Sequence, residues 1–167
     1  VGTKISGFQK RRSEHTQMAK VILKEENSYD FRYRLKAQIH HVNYSGHVGH
    51  DAIVQMIWEA RVNLLKDLGL TELDLGDGKT GIIMTDLEIN FLREILPFDE
   101  LLIESKIDDV SENGFRIYHR ITKDGKTCVL AETGFLSFNY STHRVCTLPK
   151  QFLKILKEKG KREGEPV

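Results

Sequence analysis

Between Asp51 and Leu68 the hydrophobic pattern of the chain switches period, and that switch limits the folds open to it. Ile53, Met56, Ile57, Ala60, Leu64, Leu65 and Leu68 recur at helical spacing, while Gln55, Glu59, Arg61, Asn63 and Lys66 take the polar positions. Gly69 follows and stops the helix at low steric cost. A helix of roughly five turns needs a broad apolar surface to receive its buried stripe. The flanking segments supply that surface as sheet. Phe31 to Ile39 alternates apolar and polar residues, the signature of a half-buried strand. After the loop at Gly76-Asp77-Gly78, four further strands are predicted at about 81–91, 100–108, 114–122 and 126–138. Asp124-Gly125 joins the last two as a hairpin turn.

The order of strand, long helix and four strands predicts an α+β domain, an antiparallel sheet with one face covered by the helix. A short second helix is predicted from near Pro149, with Phe152, Ile155 and Leu156 on one side, and the charged stretch from Lys157 to Val167 is expected to fray. In the last long strand Val129, Ala131 and Phe135 alternate with Cys128, Leu130 and Leu136, so both of its faces are apolar. That pattern points to a partner subunit over the second face, with the C-terminal helix as the alternative cover.

A length of 167 residues suits one domain with a sizeable core, here expected as an N-terminal extension over 1–25, a folded domain over 26–160 and a tail over 161–167. A formal net charge of +1 makes the whole molecule a poor electrostatic match for nucleic acid. No apolar run approaches the length needed to cross a bilayer, so no membrane partner is expected. The basic stretch Val1 to Ser13 lacks the apolar core of a secretory signal. Cys128 and Cys146 are the only cysteines and form no CxxC pair, which reads as reduced thiols in a cytoplasmic protein. Neither G-x-x-x-x-G-K-[ST], G-x-G-x-x-G nor G-x-S-x-G occurs, leaving nucleotide triphosphate hydrolysis, dinucleotide redox chemistry and a serine nucleophile elbow without support.

The chemistry-bearing residues crowd the entrance to the long helix, in Asn43-Tyr-Ser-Gly46-His47-Val-Gly49-His50-Asp51. Glycines at 46 and 49 allow a sharp turn and a close approach to the first free amides of the helix, which suit a group gaining negative charge. Asp51 is either a first-turn charge or a nucleophile or general base. Glu59, about 80 degrees further round the helix, is either a surface residue or a second candidate base. His47 either donates to a substrate carbonyl or holds the glycine turn. Asn43 either orients water or the acyl group, or closes the turn. His40, His41, His47 and His50 raise the question of a metal, but their spacing lacks the H-E-x-x-H arrangement and no metal is expected. Arg93, with Lys106, Arg116, Arg120 or Lys126, is a candidate for contact with phosphates.

The pattern resembles the hotdog-fold acyl-CoA thioesterases, specifically the 4-hydroxybenzoyl-CoA thioesterase-like group. Members carry an Asp-x-x-Gly-His-Val-Asn-Asn turn and a helix containing Glu-Ala-Arg. Here these are Asn43-Tyr-Ser-Gly46-His47-Val48-Gly49-His50 and Glu59-Ala60-Arg61. Ile89-Asn90-Phe91-Leu92-Arg93, Pro97-Phe98-Asp99-Glu100 and Ala131-Glu132-Thr133-Gly134 are also similar to family segments. The resemblance implies a sheet wrapped around the long central helix, and a homodimer or dimer-based homotetramer with sites at the subunit interface. It implies an acyl-CoA or acyl-carrier-protein thioester as substrate, coenzyme A entering only as part of it, with no other cofactor. Asn43 stands where many relatives carry the catalytic aspartate, and Gly49-His50-Asp51 replaces Asn-Asn-Ala. The expectation is therefore that amides near Gly49 and His50 polarise the carbonyl while Asp51 activates water or attacks. Asn43 and His47 orient the reactants, Glu59 is the second candidate base, and Gly46, Gly49, His50 and Arg93 bind substrate. The competing expectation is a hotdog domain that binds an acyl-CoA or another metabolite without hydrolysing it.

Overall fold

The computed structural model describes residues 21–162; the first twenty residues of the expected N-terminal extension and positions 163–167 of the expected tail lie outside the described residues. The predicted order is the observed one: β1 (Phe31–Lys36), α1 (His50–Asp67), β2 (Thr80–Phe91), β3 (Glu100–Asp108), β4 (Gly114–Lys123), β5 (Lys126–Asn139), β6 (Arg144–Val145) and α2 (Lys150–Arg162). The first strand stops at Lys36 rather than Ile39, because Ile39–His41 coils into a 3-10 turn closed by the His41 amide on the Gln38 carbonyl at 3.0 Å. The five long strands form one antiparallel sheet in the order β1-β3-β4-β5-β2, with β6 pairing the end of β5. β2 is therefore an edge strand even though it follows the helix directly.

Helix α1 lies across the inner sheet face with Ala52, Ile53, Met56, Ile57, Ala60, Leu64 and Leu65 buried. Its first half packs on Ile103, Ile121, Val129 and Ala131. Its second half joins Phe115, Ile117, Phe135, Leu75 and Phe152. The period-2 strands and the period-3.6 helix thus bury their apolar stripes against one another, the main source of stability in such a layer pair. Two polar groups interrupt this layer. Arg61 sits over the Phe135 ring at 4.9 Å and reaches Glu72 at 2.7 Å. His119 is wholly buried, with Nδ1 2.8 Å from Ser105 Oγ and, among the described residues, no partner for Nε2. Burial, with Arg61 adding to it, pushes the His119 imidazole down to about 3.

The C-terminal helix does not cover the second sheet face. It packs beside α1 on the inner side, where the Phe152 ring stands 5.0 Å from Phe115, because Phe152, Ile155 and Leu156 complete the same apolar cluster as Leu64 and Leu65. Along the outer face runs residues 21–29. Asn90 clamps this segment, accepting from the Leu23 amide and donating to the Val21 carbonyl, both at 2.9 Å. Glu25 pairs with Arg120 at 2.8 Å and Glu26 with Lys106 at 3.3 Å. Leu130, one of the outward apolar residues of β5, is buried and borders a small cavity with Ile22, Leu23 and Tyr29.

Candidate active site

The turn before α1 is built by its own backbone. The Asn43 amide donates to the His47 carbonyl at 2.9 Å, and Gly46 takes φ +89°, a left-handed conformation that glycine adopts without strain. Two further bonds anchor the turn: the Val48 amide donates to the Ile95 carbonyl at 2.8 Å and the Gly49 amide to the His41 carbonyl at 2.9 Å. The first of these brings the end of β2 and its following loop against the start of α1. A cleft of about 540 Å3 opens between them. Asn43, His47, His50, Arg93 and Glu94 supply its polar edge, and Val48, Ile53, Phe91, Leu92, Ile95 and Val129 its apolar wall.

Of the residues singled out from sequence, Asn43, His47, His50 and Arg93 meet at this cleft. The Asn43 Oδ1 accepts from the Ser45 amide at 2.9 Å, and its Nδ2 lies 3.2 Å from His47 Nε2. His47 Nδ1 in turn faces Glu94 Oε1 at 3.8 Å. Arg93 stays exposed while its guanidinium donates to the Thr127 carbonyl, tying it to the β4–β5 hairpin. The other basic candidates are committed elsewhere: Arg116 to Asp86 and Glu132, Arg120 to Glu104 and Glu25, Lys106 to Asp108 and Glu26. Lys126 stays exposed in that hairpin.

The two helix carboxylates stand apart from the cleft wall. Asp51 is exposed in the first turn and folds its carboxylate back beside Gly49, a negative charge at the positive end of the helix dipole. Glu59 accepts a hydrogen bond from the Tyr33 hydroxyl on β1, and this bond is the main cause that raises the Tyr33 phenol above its ordinary value. Gly49 also differs from its expected role as an amide donor to substrate, because its N–H is already spent on His41. The amides of His50, Asp51 and Ala52 precede the first i→i−4 bond of the helix, from Ile53 to Gly49 at 3.1 Å, and are the ones at the helix start open to a ligand. Glu94 is the cleft residue that sequence reasoning passed over. Its neighbour Arg93 drew notice as a cation, but only the Val48–Ile95 bond, long-range in sequence, brings position 94 to His47. Among the described residues, no group of three or more His, Cys, Asp and Glu is placed to hold a metal ion. Nor, among them, is any helix long and apolar enough to cross a membrane.

A family model described as the thioesterase-like superfamily matches residues 37–156, which spans the cleft and nearly all of the sheet. No curated protein matches the chain. Among solved structures, a 1,4-dihydroxy-2-naphthoyl-CoA thioesterase from Synechocystis superposes with a TM-score of 0.69 at 18% identity, over 77% of this chain and 96% of that one. A DHNA-CoA thioesterase from Staphylococcus aureus gives 0.68 at 17% identity, over 81% and 95%. A hypothetical protein from Aquifex aeolicus gives 0.70 at 18% identity, over 75% and 98%. Together with the sheet order and the long helix on its inner face, these similarities identify the architecture as the α+β hotdog fold.

Proposed function

Because the chain belongs to the thioesterase-like superfamily, we propose that it hydrolyses an acyl-CoA or acyl-carrier-protein thioester to the free acid and the thiol. The observation that carries this reading is the cleft at the start of α1, where an apolar wall meets the first helical residue, His50, in about 540 Å3, a volume suited to a small acyl group. The acyl group lies against Ile53, Phe91, Leu92 and Val129. Its carbonyl takes hydrogen bonds from the amides of His50 and Asp51, which strengthen as the oxygen gains negative charge in the tetrahedral intermediate. Asn43 and His47 hold the polar edge of the cleft in shape, and Arg93 stands at the rim as a cation for the phosphates of coenzyme A.

A second reading has one specific observation behind it. Asn43 carries an amide, which is neither a base nor a nucleophile, so a domain that holds a CoA ester without cleaving it shares the same cleft. Free-thiol release from a panel of short, long and aromatic acyl-CoAs decides between the two. The aromatic arm includes the 1,4-dihydroxy-2-naphthoyl ester that names the Synechocystis relative. Thiol release that depends on the protein supports hydrolysis; saturable ester binding without release contradicts it.

The functional unit in this reading is a homodimer formed along β2. Its outer edge has no strand partner among the described residues, and beside it α1 exposes Val54, Trp58 and Val62, with Met84 exposed on β2 itself. An open edge flanked by an apolar stripe is the surface that a second copy covers.

A further inference from the structure

We propose that Glu94 is the catalytic carboxylate of this cleft, a general base for the hydrolytic water that His47 holds in place; the inference rests on the thioesterase reading above. Hydrogen-bond bookkeeping around Asn43 carries it. The Ser45 amide can only donate, so the atom it meets at 2.9 Å is the Asn43 carbonyl oxygen, and the orientation of that side-chain amide follows. The Asn43 nitrogen must then donate to His47 Nε2, 3.2 Å away, which makes Nε2 an acceptor and leaves the imidazole proton on Nδ1. Nδ1–H faces Glu94 Oε1 at 3.8 Å, a charge contact longer than a hydrogen bond, with the glutamate side chain exposed. Each donor in the series Ser45, Asn43, His47 is aimed at the next group, and the series ends on a carboxylate. His47 cannot itself serve as the base while its free lone pair is occupied by Asn43. Glu94 is also the one carboxylate among the residues that line the cleft. The cleft thus has an amide at position 43 and takes its carboxylate from the loop after β2, and Asn43 is one of the residues that position it.

In the reaction, a Glu94 carboxylate oxygen takes a proton from water as the water oxygen bonds to the acyl carbon. The carbonyl π pair moves onto its oxygen, which faces the amides at the start of α1. On collapse that pair re-forms the carbonyl, the C–S bond breaks with its electrons on sulfur, and the Glu94 proton passes to sulfur. The products are the acid and the free thiol, with the carboxylate regenerated.

Steady-state thiol release from the best ester of the panel tests this in the wild type and in Glu94→Gln, Glu94→Asp, His47→Ala and the His47→Ala/Glu94→Gln double variant, with circular dichroism as a check on folding. Glu94 is exposed, so its isosteric replacement leaves the fold intact. The expected result is a fall in kcat of about 100-fold or more for Glu94→Gln with KM nearly unchanged, and partial activity in Glu94→Asp. The double variant should be no slower than Glu94→Gln alone, because a positioning residue has nothing left to position. A Glu94→Gln variant within about threefold of wild type overturns the inference and leaves thioester hydrolysis standing. So does a double variant whose losses simply multiply. A wild type that binds the esters and releases no thiol overturns the thioesterase reading, and this inference with it.

Discussion

At position 43 an amide has replaced the expected carboxylate, and both of its polar atoms are spent inside the turn, one on Ser45 and one on His47. The residue type alone points to Asp51 or Glu59 as the substitute carboxylate; the contacts around Asn43 and His47 lead instead to Glu94, the carboxylate proposed above. Glu59 shows the reverse: a residue that looks available on a helix surface is held by the Tyr33 hydroxyl. The buried imidazole of His119 makes a separate prediction. Burial holds it down to about 3, whereas an unfolded histidine titrates near 6.5. Between these values the unfolded chain binds a proton that the folded chain refuses, so stability falls as pH drops through that window. The slope is about 1.4 kcal/mol per pH unit, and above 6.5 the group contributes none. Urea midpoints at pH 7 and pH 5 should therefore show wild type losing about 2 kcal/mol more than His119→Leu. Equal losses in the two proteins would contradict this assignment.

Among the elements, α1 buries more apolar residues than any single strand, and Ile57, 1% exposed, sits at the middle of its packed stripe. Ile57→Ala should cost about 2–5 kcal/mol in urea unfolding, since the helix is held between the sheet and its own ends and cannot close the cavity. A loss below about 1 kcal/mol would mean that the stripe is less tightly packed than described. This helix and the strands from β2 to β5 were legible in the sequence because each repeats its period over many residues, as Phe115, Ile117, His119 and Ile121 do on β4. Shorter features were not. Two-residue β6 has no period to read, and the 3-10 turn at Ile39–His41 continues an alternation that looks like strand. The side on which α2 packs was equally hidden, because an amphipathic pattern shows that a face is buried and not what buries it. The same limit applied at the cleft. Asn43, His47 and His50 lie together in sequence as they do at the cleft, whereas Glu94 reaches them only through strand order and the Val48–Ile95 bond.

For the molecule as a whole, the outer sheet face is largely occupied by residues 21–29 and by ion pairs such as Arg116 with Asp86 and Arg120 with Glu104. The β2 edge with Val54, Trp58 and Val62 is the less protected surface. Light scattering should return about twice the mass of one chain for the wild type, and a Trp58→Arg/Val62→Arg variant should fall to the monomer. A monomeric wild type would contradict the dimer. If thioesters are cleaved in the cleft between α1 and the loop after β2, thiol release should differ sharply between wild type and Leu92→Trp. Leu92 lines the cleft yet is 45% exposed, so a larger ring there obstructs the acyl site without disturbing the core. The expected result is turnover by the wild type and its loss in the folded Leu92→Trp variant. Turnover that survives the obstruction, or a wild type that binds the ester and releases no thiol, would contradict it.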